Sequence, residues 1–445
     1  MPHRLPATLL ALGLGAAPAL AQDVTDFKLE NGLEVVVIED HRAPIVTNMV
    51  WYRTGSADEK AGESGVAHFL EHLMFQGTQD MKPGEFSTTV SALGGSDNAF
   101  TSYDYTAYFE RVAADRLDLM MQMEADRMAN LNLSQPIVDN ERNVILEERS
   151  QRTDSNPSAQ FQEQLAATQF LNSPYRRPVI GWRAEMEELS REDALDHYTT
   201  FYAPNNAVLV VAGDVTPDQV RDMAERHFGG LEPSTTIPPR LRPQEPPQLA
   251  ERRLTFRDPR VAQPFLLRSY LAPERNPGDQ AKAAALEVLA ALLGGDPTTS
   301  VLAQRLQFGD DPKAIYTMAA YDGVAVDPSS FRLGLVPAEG TTLQEAEEAL
   351  DAVLADFIRD GVDPEQMARI KTQLRADDVY SRDDAGALAR RYGAALAVGL
   401  TVQDVQDWPG ILQSVTADQV IDAAKEVLDK RASVTGWLEQ EETTQ

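Results

Sequence analysis

Residues 65–78 read GVAHFLEHLMFQGT, and within them HFLEH sets His68, Glu71 and His72 on one helical turn, the reverse order of the commoner HExxH. Imidazoles at i and i+4 stand on one helix face about 6 Å apart, close enough to bind a single metal ion with the glutamate beside it. The pentapeptide therefore points to a zinc-dependent hydrolase. Val66, Phe69, Leu70, Leu73 and Met74 follow the i, i+3, i+4, i+7, i+8 spacing of an amphipathic helix. That spacing predicts a helix opened near Ser64 and closed by Gly77. At about 100° per residue, His68, Glu71 and His72 fall opposite the apolar stripe, so they are expected to face a cleft or solvent rather than the core.

A catalytic zinc takes three protein ligands and leaves one position open, so a third ligand is needed from elsewhere. The stretch SQPIVDNERNVILEERSQR, residues 134–152, supplies it. Ser134 reads as an N-cap with Pro136 in the first turn, and Ile137, Val138, Val144 and Ile145 mark the buried stripe of a second helix. Glu141 and Glu148 lie two turns apart inside that stripe, where an unpaired carboxylate is costly and a cation is called for. Glu147 projects about 100° away, on the solvated side with Asn140 and Asn143. Glu148 is thus assigned as the third ligand.

Residues 1–21 have a basic start at Arg4, an apolar run from Leu5 to Leu20 and the small-residue end Ala19-Leu20-Ala21. This is the pattern of a cleaved secretory signal, with a mature chain from about Gln22 in the periplasm of a Gram-negative bacterium. No later stretch reaches the length of a membrane span. The chain has no cysteine, which excludes thiol catalysis, a disulfide frame and a lipid-anchored terminus. A net charge of −29, spread along the chain, disfavours nucleic acid and anionic membrane surfaces as partners.

A chain of 445 residues is long for one core. Apolar periodicity stops and proline becomes dense in GGLEPSTTIPPRLRPQEPPQ, residues 229–248, the composition of an extended linker. The division is an N-terminal unit at 22–228, a linker at 229–250 and a C-terminal unit at 251–445. The halves repeat one order of elements at long period: strand 45–52, loop and HFLEH helix in the first; strand 265–271, loop and helix 281–293 in the second. The helix and strand at 191–213 are echoed at 417–436. No histidine follows His227, so the second half is expected to lack a metal site.

Beyond these motifs, LENGLEVVVIEDHRAPIV (29–46), GGSDNAFTSYDYTAYF (94–109), ERNVILEER (141–149) and FYAPNNAVLVVAGDV (201–215) complete a pattern covering nearly the whole mature chain. It resembles the pitrilysin or insulinase-type (inverzincin) zinc peptidases, in the bacterial branch similar to the catalytic subunit of the mitochondrial processing peptidase. The resemblance implies an α+β fold of two homologous domains, each a mainly antiparallel sheet packed with helices, facing each other around a chamber. It implies one Zn2+ per chain held by His68, His72 and Glu148, with Glu71 as general base and Glu141 as an acidic residue supporting the ligands. Zinc would then act as a Lewis acid on the scissile carbonyl while Glu71 moves the proton. It also implies that Asn98 and Ala99 lie on an edge strand to which an extended peptide adds.

Self-sufficient members of that family carry an arginine and a tyrosine in the second half. Here SVLAQRLQFGDDPKAIYTMAAYDG puts Tyr316 at the tyrosine position but Gln307 where the arginine is expected. Arg305 is nearby and reads as an ordinary surface arginine. The resemblance then implies the zinc subunit of a heterodimer whose homologous partner chain supplies the arginine and tyrosine, or otherwise a homodimer. The competing readings are a non-catalytic assembly subunit and a peptide-binding module of the same fold.

Overall fold

The computed structural model describes residues 24–441, so the expected signal segment lies outside the described residues. Two sheets organise the chain. The first has the order β1-β2-β6-β3-β5-β4, with β1 (Val24–Lys28), β2 (Glu34–Glu39), β3 (Ile45–Tyr52), β4 (Ser96–Thr101), β5 (Thr106–Ala113) and β6 (Ala207–Gly213). The second has the order β7-β11-β8-β10-β9, with β7 (Arg252–Asp258), β8 (Phe265–Ala272), β9 (Ala314–Tyr321), β10 (Ser329–Pro337) and β11 (Ser433–Gln440). Each sheet has one parallel pair, β2 with β6 and β7 with β11, among antiparallel neighbours. The long-period repeat is therefore a repeat of topology.

Central strands such as VVV in β2 and AVLVVAG in β6 are apolar on both faces because both faces are covered. One face of the first sheet packs on helices of its own half, with Val66, Phe69, Leu70 and Leu73 of helix Val66–Leu73 in that core. The other face is covered by helix Ala385–Ala397 from the second half, whose Leu388, Ala389, Tyr392 and Leu396 meet Val36, Met49, Trp51 and Val210. A Cβ on Gly393 would stand 2.1 Å from the Trp51 indole, so only glycine allows this approach. Reciprocally, helix Pro157–Gln169 of the first half lies over the second sheet, with Phe161 against Leu438 and pressed onto Gly436. The halves thus exchange a helix: residues 229–250 separate two sheets and two main cores, while two smaller clusters are shared across the division.

The linker is bolted where it crosses. The Arg242 guanidinium is 5% exposed and meets Asp58 at 2.9 Å, Asp327 at 3.1 Å and Asp104, carboxylates from both halves. Arg240 pairs with Asp58 at 3.0 Å and donates to the Ala397 carbonyl. Charges buried this deeply persist only when paired, so these contacts fix the path of an otherwise irregular segment. No helix among the described residues is long and apolar enough to cross a membrane.

Candidate metal centre

The HFLEH helix begins at Val66, after Gly65 in left-handed conformation (φ 92°), and ends at Leu73. The helix opens near Ser64, as the spacing predicts, but Ser64 does not cap it: its hydroxyl accepts from the Trp182 amide at 2.9 Å. A Cβ on Gly65 would stand 2.6 Å from the Ile180 carbonyl oxygen, so the helix must open at a glycine. Its first amides are held instead by Glu59, whose Oε1 accepts from Gly65 N–H at 3.0 Å and Ala67 N–H at 3.1 Å. Burial pushes the Glu59 carboxyl up to about 8 despite those two bonds.

His68, expected in a cleft, is 8% exposed because helix Gln135–Arg149 packs across it. That second helix begins after Ser134 with Pro136 in its first turn, as read, although the Ser134 side chain makes no capping bond. Val138 and Ile145 are fully buried, whereas Val144 is 42% exposed and does not belong to the stripe. Glu141 is buried and Glu147 exposed, its Oε1 accepting from Gln151 at 2.8 Å. Helix geometry thus separates Glu148 from Glu147 as the sequence predicts.

Donor atoms of His68, His72 and Glu148 all lie within 4.8 Å of one another. Both imidazoles turn Nε2 to the same carboxylate oxygen, Glu148 Oε2, at 3.5 Å from His68 and 3.2 Å from His72. Ligands on a tetrahedron with bonds of about 2.05 Å sit about 3.3 Å apart, so these separations fit zinc. Glu148 Oε2 is buried without a hydrogen-bond partner, as expected of an atom reserved for a cation, while Oε1 is held by Arg152 at 2.6 Å. Glu141 Oε1 stands 3.3 Å from His72 Nδ1, the outer contact that leaves Nε2 free for a metal.

Burial and then the neighbouring His72 charge lower the His68 pKa to about 4, which keeps it neutral. Burial also works against a charged His72, but the facing carboxylates of Glu141 and Glu148 outweigh it and raise the metal-free His72 to about 9. Glu71 lies on the same turn but outside the donor group. Its pKa is raised by burial and partly restored by the Thr101 hydroxyl, which donates to Oε2 at 2.5 Å.

Thr101 ends β4, and β4 is the open edge of the first sheet, paired only with β5. Asn98 and Ala99 lie on this strand, Asn98 exposed with its Oδ1 accepting from the Ala99 amide at 2.8 Å. In the second half, Tyr316 sits on β9, the corresponding open edge, and is 48% exposed. Gln307 is turned to Thr317 at 2.7 Å. Arg305 pairs with Asp356 at 2.8 Å on the protein surface, as read for an ordinary surface arginine. Where the second half repeats the geometry of the metal helix, a cavity of about 300 Å³ is bordered by Glu287, Asp377, Ala290 and Ile370, with no imidazole.

Thr101, Glu59 and Arg152 escaped the sequence reading. Arg152 carried a signal, the i+4 spacing from Glu148. Thr101 and Glu59 carried none, since they act through strand pairing and a loop.

The inverted histidine pair, a glutamate from a second helix and tandem sheets with exchanged helices define the two-domain inverzincin class of zinc-peptidase folds. Residues 34–182 match the family profile described as Insulinase (Peptidase family M16), and residues 188–374 the one described as Peptidase M16 inactive domain. The chain belongs to peptidase family M16. It is 27% identical over 415 residues to a zinc protease, PqqE, of Helicobacter pylori, covering 92% of this chain and 91% of the relative. The crystal structure of a protease from Helicobacter pylori superposes with a TM-score of 0.87 at 26% identity, covering 94% of this chain and all of that one. The periplasmic protease PqqL from Escherichia coli has the same fold at 21% identity and a TM-score of 0.80, but 94% of this chain covers only 48% of it.

Proposed function

We propose that this chain is the zinc-carrying subunit of a periplasmic endopeptidase that hydrolyses extended peptides. The observation that carries the reading is the convergence of His68, His72 and Glu148 donors beside Glu71, at the open edge of β4. When bound, zinc polarises the scissile carbonyl and supports the charge that develops there. Glu71 takes a proton from the attacking water and returns it to the leaving amine. Thr101 occupies Glu71 Oε2 and leaves Oε1 for that proton. Glu141 accepts from His72 Nδ1–H and so holds the tautomer that presents Nε2. A peptide adds as a further strand to β4, replacing the Asn98 oxygen at the Ala99 amide with its own carbonyl.

A partner chain is part of the proposal. Arg305 is committed to Asp356 and Gln307 to Thr317, so neither places a cation beside Tyr316. A homologous partner, or failing that a second copy, supplies the arginine and tyrosine. The doubled length of PqqL relative to this chain supports a two-unit assembly, and its description as periplasmic agrees with the secretory-signal pattern expected of residues 1–21.

The test is cleavage of a mixed library of flexible peptides by the purified chain, alone and with chains that co-purify with it from its native source. Cleavage that is chelator-sensitive and accelerated by a co-purifying chain is expected. Zinc binding without cleavage in any combination would favour a non-catalytic peptide-binding subunit.

A further inference from the structure

Between the halves lies a cavity of about 320 Å³, walled by the two exchanged helices, by the β4–β5 turn at Ser102–Tyr105 and by β8 and β10. Its volume is at the low end for small-molecule sites. Three guanidiniums border it, those of Arg275, Arg332 and Arg391, in a chain whose net charge is −29.

Arg275 is 9% exposed, and no carboxylate among the described residues pairs with it. Its Nε and Nη2 donate to the Gln280 Oε1 at 3.0 and 2.6 Å, and the guanidinium lies 3.7 Å from the Trp408 ring centre. Its Nη1 has no partner among the described residues. Burial, and then the nearby positive charge of Arg391, push the Arg275 pKa down to about 10. The cavity wall thus carries two like charges, a buried Arg275 and a half-buried Arg391.

Arg391 has one carboxylate, Asp378 at 2.9 Å, and Arg332 has no ion pair among the described residues. Asp404 and Glu287 lie near enough for their charge to act on Arg275, but neither forms an ion pair with it, and Asp404 already accepts from Thr401, Gly278 and Gln280; the acids of the wall itself are engaged elsewhere. Asp104 is taken by Arg242 and by the Tyr175 hydroxyl at 2.6 Å, while Asp322 accepts from the Val324 amide and is pushed toward its neutral form by burial. Leu165, Phe170, Leu267 and Val405 supply an apolar side to the same space.

We propose that this cavity binds a small amphipathic anion, a carboxylate on an apolar group, with the carboxylate at the arginines and the apolar part against Leu165 and Phe170. The C-terminal residue of a short peptide and a short fatty acid share that chemistry. The site is separate from the metal centre, and its occupancy does not depend on peptidase activity.

The test is isothermal titration of the full chain, with chelator present so that no carboxylate is held by a metal. The probes are N-acetylphenylalanine, octanoate and N-acetylphenylalanine amide. One or both carboxylates bind at one per chain, and the amide binds at least tenfold more weakly. Preference for N-acetylphenylalanine identifies a peptide terminus, and preference for octanoate a lipid-derived acid. Arg391→Gln, at a half-buried position, and Arg332→Gln, at an exposed one, each weaken binding about tenfold, and Ala166→Leu, which fills the cavity, abolishes it; a melting curve establishes that each variant is folded. No saturable heat from either carboxylate, equal binding of the amide, or unchanged affinity in all three folded variants overturns the proposal.

Discussion

The two halves of this chain have sheets that match apart from the extra β1, matching open edges at β4 and β9, and a buried helix behind each edge, yet only the first places a histidine pair and a glutamate on that helix. In the first, the helix behind the edge carries His68, Glu71 and His72. In the second, helix Ala281–Ala290 is alanine and leucine apart from Lys282, Glu287 and Val288. Its small side chains let the backbone behind it close up, and a Cβ on Gly294 would stand 2.1 Å from the Ala319 amide. The fold requires a helix at this place but not its ligands, so the chemistry is a feature grafted onto one of two equivalent frames.

That contrast can be broken or sharpened by substitution. The largest effect is expected of Glu71→Gln, which cannot accept the proton: turnover falls by about 10²–10⁴-fold while zinc content, measured by elemental analysis, is unchanged. Next is Glu148→Gln, which removes one of three donors and lowers zinc retention by more than about tenfold, with Glu147→Gln as the matched control that retains it. Equal losses in the two variants would undo the assignment of Glu148.

A smaller effect is read through pH. Glu59, behind the metal helix, has a folded-state pKa raised from the ordinary carboxylate value to about 8 by burial. A raised acid favours the folded state below its unfolded pKa, so this contribution is present near pH 4 and is lost as pH rises through about 8, at about 1.4 kcal/mol for each pH unit crossed between the two values. Denaturant melts of Glu59→Gln should therefore lose less stability across that window than the parent chain. A parallel pH dependence in the two proteins would contradict it. The smallest effect belongs to Arg305→Ala, which breaks a surface pair with Asp356: stability changes by about 0–1 kcal/mol and turnover stays the same. A large loss of turnover would place Arg305 in the site and remove the need for a partner's arginine.

Much of this was legible in the sequence because it rests on local periodicity. The bounds of β3, residues 45–52, and the repeat of helix and strand at 191–213 and 417–436 follow from apolar runs and turn residues. Glu148 was separable from Glu147 because a helix fixes the direction of each side chain. The limits arise where one segment's environment is set by another remote in sequence. His68 is buried by a helix about seventy residues on, Val144 lies outside the stripe its spacing suggested, and the opening of the metal helix is fixed by Glu59 and a loop near Gly181 rather than by Ser64. The exchange of helices is invisible to periodicity for the same reason. Helix Pro157–Gln169 has an ordinary apolar face, and nothing in it states which sheet that face meets.

The most direct test is anomalous diffraction at the zinc edge from crystals of the purified chain, grown without chelator. A single peak per chain is predicted, coordinated by His68 Nε2, His72 Nε2 and Glu148. No peak there, or a second one beside Glu287 and Asp377, would contradict the claim that one half alone carries the metal.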